Sequence, residues 1–280
     1  MTPASAVTPA VAATTPPSRG LQRVIAVLAA LASSLLLLFL AVPIGQLIGA
    51  GGADGVRHLA SDAELRAALS LTAITATAAT LLGVLGGTPL AYLLARRAFR
   101  GRAMLSAVLD LPLLIPHPVA GIALLLLLGR ESAVGGTMLA AGMRVVGTPL
   151  GIVAAMLFVA APLFISGARE AFARVDPRFE AVARTLGDPP LRAFLRITLP
   201  LSRRGLIASA VVMWARAVSE FGAIVVLTYN PKVASVLSYD RFTSFGLREA
   251  LPVAAVLAVL ALIPLTALRT LRGADDGMTR

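Results

Sequence analysis

About six apolar stretches, each long enough to cross a hydrocarbon core of about 30 Å, constrain this chain more than any other feature. They lie near residues 24–48, 69–94, 103–128, 148–173, 206–228 and 252–271. A backbone surrounded by lipid must satisfy its own N–H and C=O groups, so helices are expected here and open strands are not. Hydrophobic residues make up 58% of the 280, which suits spans facing lipid and one another better than a water-soluble exterior. The expected fold class is therefore all-α, a polytopic membrane protein with about six transmembrane helices.

Basic residues set the orientation. Arg19 and Arg23 precede the first span, and Arg96, Arg97, Arg100 and Arg102 join the second to the third. The connection from the fourth to the fifth holds Arg169, Arg174, Arg178, Arg184, Arg192, Arg196, Arg203 and Arg204, and Arg269, Arg272 and Arg280 follow the last span. The alternate connections hold fewer: Arg57, Arg66, Arg130, Arg144, Lys232, Arg241 and Arg248. The positive-inside rule then places both termini and the fourth-to-fifth connection in the cytoplasm of a multi-pass cell-membrane protein. The net charge of +11 fits anionic lipid headgroups flanking the spans better than nucleic acid. Residues 1–18 carry no charged side chain and are rich in Ala, Pro and Thr, so a disordered cytoplasmic tail is expected over 1–20. The first span exceeds a signal-peptide core and is followed by others, and it reads as retained.

Residues 180–200, EAVARTLGDPPLRAFLRITLP, are amphipathic and charged in an otherwise apolar chain. Pro177, Phe179 and the run to Gly187 predict a short helix, then a turn at 187–190, then a second helix ending at Leu199. Gly187 accepts positive φ, and Pro189 and Pro190 stop the first helix from continuing. Such a protrusion can insert apolar anchors into a groove on a soluble partner. Glu180-Ala181, Ala183, Gly187, Ile197, Leu199 and Pro200 resemble the E-A-A–x3–G–x9–I–x–L-P loop of ABC importer permeases. The spacing from Gly187 to Pro200 matches fully, while the acidic residue stands one place early and Val182 interrupts the small residues.

Two further strings extend the likeness. Asp110 opens DLPLLIPHPVAG, where Pro112, Pro116 and Pro118 remove backbone donors. Broken backbone at membrane depth needs cover from protein or a water-filled cavity, so this segment is expected to be buried or to line a path. It resembles the D-L-P–x–x–x–P–P–x–V–A–G segment of oxyanion permeases, with His117 in place of the second paired proline. In the fifth span Arg216 and Glu220 stand four apart, and a mid-membrane charge is costly unless paired. That spacing serves a helix-packing ion pair and contact with an anion equally well. The string RAVSEFGA resembles the R-A–x–x–E-F-G-A signature of the molybdate, tungstate and sulfate permease group. Its continuation to Ala255 is similar to the archaeal-type tungstate/molybdate branch.

The resemblance implies a type I ABC importer permease fold, with a permease domain over 21–273, an ATPase-coupling loop over about 176–203 and a short cytoplasmic tail over 274–280. It further implies a homodimer with two cytoplasmic ATP-binding subunits and an extracytoplasmic oxyanion-binding protein, moving a tetrahedral oxyanion by alternating access. Sulfate, thiosulfate, thiamine or ferric iron are alternative cargoes of the same class. A membrane enzyme would need chemistry not found here, since there is no cysteine, no H-E-x-x-H and no G-x-S-x-G. With two histidines and no cysteine, no metal site, cofactor or catalytic residue is expected. The sequence contains no Walker A loop, so ATP hydrolysis is expected from a separate subunit. A secondary transporter would show matching repeated halves.

Overall fold

Asp62 opens the long second helix by accepting the amide of Leu65 at 3.0 Å, one of several caps that punctuate the helices of this chain. The computed structural model describes residues 19–276, and no strand occurs among them. Residues 1–18 and 277–280, the larger part of the two expected tails, lie outside the described residues. By backbone contacts the chain divides into residues 1–46 and residues 47–280. Within the first unit, the opening turns of α1 (Arg19–Ser61) expose Leu35, Leu37 and Phe39, as suits a helix apolar on every side.

The second unit contains the closing turns of α1 and the remaining helices. These are α2 (Ala63–Arg96), α3 (Arg102–Leu114), α4 (His117–Leu128), α5 (Ala133–Ala140) and α6 (Pro149–Ala173). There follow α7 (Pro177–Thr185), α8 (Pro190–Ala193), a π-helical turn (Phe194–Thr198), α9 (Leu199–Val218), α10 (Gly222–Leu227), α11 (Ala234–Phe245) and α12 (Leu247–Asp276). The core forms where α6 packs against α2 and α9, around Met156, Val159, Phe164, Phe172 and Met213. Along α2, Thr72, Thr75, Ala79, Gly83 and Gly87 are buried and Gly86 is exposed, so the stripe of small residues is a helix-packing face.

Among the described residues, four helices are long and apolar enough to cross a membrane: 22–55, 63–96, 149–173 and 247–264. The third expected span is a bent pair, α3 and α4, turning by 113° at Ile115–Pro116. Pro112 is carried inside α3, and the break falls at Pro116, which has no N–H to continue the ladder. α3 has no fully buried residue, so the segment before the bend is largely exposed on the single chain, whereas Ala120 and Gly121 beyond it are buried. The fifth expected span divides as well. α9 carries Arg203, Arg204 and Arg216 and ends at Val218, and α10 resumes at Gly222. The charges remove the long apolar window, and the Glu220 carboxylate accepts the Ala223 amide at 2.8 Å, capping the new helix.

Gly121 lets α4 approach α10: a Cβ there would lie 2.8 Å from the Ala223 carbonyl oxygen and 2.8 Å from Val226 Cβ. Gly121→Leu should therefore overpack this contact and cost about 1–3 kcal/mol. Gly86→Leu, where nothing lies within 4 Å, should leave stability unchanged. Thermal unfolding of the purified variants in detergent checks the contrast, and equal melting would refute it.

Candidate functional site

The 176–203 segment is shaped by caps and prolines. Asp176 accepts the Arg178 amide at 2.8 Å, and Pro177 occupies the first turn of α7, where its missing N–H costs nothing. α7 closes in a Schellman arrangement: the Gly187 amide bonds Arg184 O at 3.1 Å and the Asp188 amide bonds Ala183 O at 3.0 Å. Gly187 has φ +99° and nothing lies within 4 Å of where a Cβ would stand, so backbone conformation, not space, requires glycine here. The second helix was expected to end at Leu199, but it continues. The π-helical turn bonds the Leu199 amide to Phe194 O, and this widening admits Pro200 without stopping α9.

The seven loop residues named from sequence divide by exposure. Ala181, Gly187 and Pro200 are exposed, Ile197, Leu199 and Glu180 are half-buried, and Ala183 is buried. Phe179, Val182, Leu186 and Leu191 are also exposed, Leu186 by 83%. Glu180 turns inward instead. Its carboxylate accepts the Tyr92 hydroxyl at 2.6 Å and the Thr198 hydroxyl, and it lies 3.5 Å from Arg96 Nη2. Arg96 also donates to the Val175 carbonyl at 2.8 Å, and its Nε is buried without a partner. The Tyr92 ring stacks edgewise on Phe172 and Phe194, at 5.6 and 4.7 Å between centroids. Sequence reasoning missed Tyr92, Thr198 and the second role of Arg96. The available signal was a tyrosine four residues before an arginine at the end of an apolar span.

A second cluster lies where α4, α9 and α10 meet. Arg216 Nη2 donates to Glu220 Oε2 at 2.7 Å, and Glu220 is 1% exposed. His117 Nδ1 lies 3.1 Å from the same oxygen and 2.6 Å from Arg216 Nη2. A bare Nδ1 accepts from Arg216, whereas a protonated Nδ1 donates to Glu220. The Ser235 hydroxyl donates to the Glu220 carbonyl at 2.7 Å. The structure thus brings His117, Arg216 and Glu220 together. It leaves Pro116 exposed at the bend, and Asp110 exposed with no ion pair among the described residues. Asp110 does share a small pocket with Ser106 and Arg169.

A third group ties the start of α2 to α11: Arg241 bonds Asp62 at 2.6 Å, and Lys232, 3.7 Å from Glu64 of α2, bonds Asp240 of α11 at 2.6 Å. The Lys232 ammonium holds the Asp240 carboxyl below its ordinary value, and Asp240 in turn raises Lys232. No cluster of three metal-ligating groups occurs among the described residues.

With bundle, bent pair and protruding segment in view, comparison with known proteins is direct. Residues 87–271 match the profile of the binding-protein-dependent transport system inner membrane component family, and the chain belongs to that family. Over 123 residues it is 47% identical to the molybdate/tungstate transport system permease protein WtpB of Thermococcus kodakarensis, covering 44% of this chain and 50% of the relative. It is 41% identical over 107 residues to a probable molybdenum ABC transporter permease protein of Haloferax volcanii, 38% of this chain and 40% of that one. Against the sulfate transport system permease protein CysT of Salmonella typhimurium identity is 29% over 134 residues, 46% of this chain and 48% of that one. The match spans half or less of the length of these curated relatives. Among solved structures, a bacterial ABC transporter involved in alginate import superposes with TM-score 0.68 at 18% identity, covering 94% of this chain and 99% of that one. The MetNI methionine ABC transporter gives TM-score 0.57 at 16% identity, over 75% of this chain and 95% of its own. At these identities the likeness establishes the fold.

The ionic cluster makes a stability prediction. Glu220→Gln leaves Arg216 without its counter-charge and should cost about 3–5 kcal/mol, the range for breaking a buried pair. Replacing both, Arg216→Met with Glu220→Met, should recover much of that loss. Melting of parent, single and double variants checks this, and a single variant as stable as the parent would show that the pair does not fix the junction of α9 and α10.

Proposed function

We propose that this chain is the membrane-spanning permease subunit of an ATP-driven importer of a tetrahedral oxyanion, molybdate or tungstate. The observation that carries the reading is the 47% identity with a molybdate/tungstate permease, against 29% with a sulfate permease. In this reading the chain works as a homodimer with two cytoplasmic ATP-binding subunits, which perform the hydrolysis, and an extracytoplasmic protein delivers the anion. The 176–203 segment is the coupling element. Its exposed Phe179, Val182, Leu186 and Leu191 suit insertion into a groove on the ATP-binding subunit. Movement of this element alternates access across the bundle. The Arg216–His117 pair lies within the bundle, partly exposed, as suits a weak stopping point that must also release its anion.

Reconstituted in vesicles with an ATP-binding subunit and an external binding protein, the chain should accumulate molybdate or tungstate on ATP hydrolysis. Sulfate at about tenfold excess should compete weakly. Accumulation of sulfate in preference would move the cargo to the alternative in the same class, and no ATP-dependent uptake of any oxyanion would overturn the reading.

Orientation is tested separately. Arginine asymmetry supports a cytoplasmic 176–203 segment and an external 229–251 connection. In this cysteine-free chain, Thr185→Cys and Ser244→Cys both sit at exposed positions. An impermeant thiol reagent added outside whole cells should label Ser244→Cys and spare Thr185→Cys. Labelling of Thr185→Cys from outside would invert the topology.

A further inference from the structure

We propose that Glu180 is the positioning residue that ties the coupling segment to α2 of its own chain, so that displacement of the segment is delivered to the bundle through α2. The inference rests on the importer reading above and goes beyond it, since it assigns the acidic residue of the segment to an internal linkage and not to the ATP-binding partner.

The geometry leaves Glu180 little to offer a partner. Its side chain is 16% exposed, with Oε1 engaged by Thr198 and Arg96 and Oε2 by Tyr92. Through these contacts the last turn of α2 holds three points of the segment at once. Arg96 grips the Val175 carbonyl, immediately before α7. Tyr92 and Arg96 hold Glu180 within α7, and Glu180 holds Thr198, where the chain returns toward α9. The π-helical turn and the stacked Tyr92, Phe172 and Phe194 rings surround this point with well-packed groups. α2 then packs along α6 and α9, so a push on the segment has a rigid element to act on.

Register explains why the acid faces inward. In the coupling-loop pattern the acidic place falls on Ala181, which is exposed here. One residue turns a helix by about 100°, which separates the outward face of α7 from the face that carries Glu180. The outward face keeps Ala181 and the apolar anchors for docking, and the inward face carries the link.

The test uses the full complex in vesicles, reading the oxyanion accumulated per ATP hydrolysed and the ATP-binding subunit recovered with the chain. Tyr92→Phe keeps the stacked ring and removes only the hydroxyl, so it remains informative if Glu180→Ala folds poorly. Both variants should assemble and hydrolyse ATP like the parent. Anion per ATP should fall about 10-fold in Glu180→Ala and about 3-fold in Tyr92→Phe, a coupling effect and not a binding one. The double variant should be no worse than Glu180→Ala, because both changes break one linkage. Glu180→Gln, which keeps an acceptor for Tyr92 and Thr198, should retain more of the parent ratio than Glu180→Ala. Loss of the co-purified subunit with an unchanged ratio in the complexes that remain would make Glu180 a partner contact and overturn the proposal. Lower yield with an unchanged ratio would make it a merely structural residue and overturn it equally. A parent complex without ATP-dependent uptake would refute the importer reading and the linkage with it, whereas a working parent with unaffected variants would refute the linkage alone.

Discussion

The close approach of α2 to α6 and α9 is the contact on which the rest of this structure depends. Gly83 and Gly87 set it: a Cβ at Gly87 would stand 2.8 Å from the Phe164 ring, and one at Gly83 would collide with Met213. Small residues matter more here than in a water-soluble core, because lipid tails solvate leucine as well as another helix does. The hydroxyls of Thr72 and Thr75 return to carbonyls of α2 at 2.7 and 2.6 Å and so add no unsatisfied donor to the seam. The Thr72 oxygen also accepts the Ala234 amide at 2.9 Å, fastening the start of α11 to the same helix. With 34 residues, α2 is about 51 Å long at 1.5 Å per residue. It is therefore the strut between the Asp62–Arg241 contact at one end and the contacts of Tyr92 and Arg96 with Glu180 at the other.

Charge within the bundle obeys one rule at two places. Glu220 and Glu180 are each surrounded by a basic group, a hydroxyl or imidazole, and a main-chain or side-chain donor. A carboxylate withdrawn from water survives only when its lone pairs are taken up locally. The two clusters differ in what they join. Glu220 gathers α4, α9 and α10 around the bend at Pro116, whereas Glu180 gathers the end of α2, α7 and the π-helical turn. The first half of the bent pair and the protruding hairpin are weakly supported by apolar burial, since α3 has no fully buried residue and α7 has only Ala183. Polar contacts therefore supply the specificity that packing does not.

Much of the helical architecture was legible from apolar length alone. Four spans are long helices where the hydropathy pattern places them, because a backbone in lipid has few alternatives. The misjudged elements fail for local reasons. Pro112 is tolerated within α3 while Pro116 breaks the chain, since Pro118 follows at once and α4 restarts with proline in its first turn. The stretch after Arg203 is apolar on average, yet its arginines and the capping Glu220 divide it into α9 and α10. At the site, spacing within one helix found Arg216 and Glu220, and the oxyanion-permease likeness singled out His117. The α2 partners of Glu180 lie 88 and 84 residues away in sequence, and no periodicity reports a contact at that separation. Only the fold brings the end of α2 beneath the hairpin.

The hairpin itself shows how a chain makes a projecting element firm without burying it. The Gly187 and Asp188 amides close α7 with bonds to the Arg184 and Ala183 carbonyls, and the π-helical turn carries the return through Pro200 without a break. Both features fix backbone direction while leaving Leu186 and Leu191 exposed. A flexible hairpin with the same side chains would dissipate a push in its own bending. This one has its tip fixed by those bonds, and its root is held to α2 by the Glu180 carboxylate and by the Arg96 bond to the Val175 carbonyl. Under the proposed coupling role, firmness at the tip is useful only if the root is firm as well, and the burial of Glu180 with the exposure of its neighbours meets both needs.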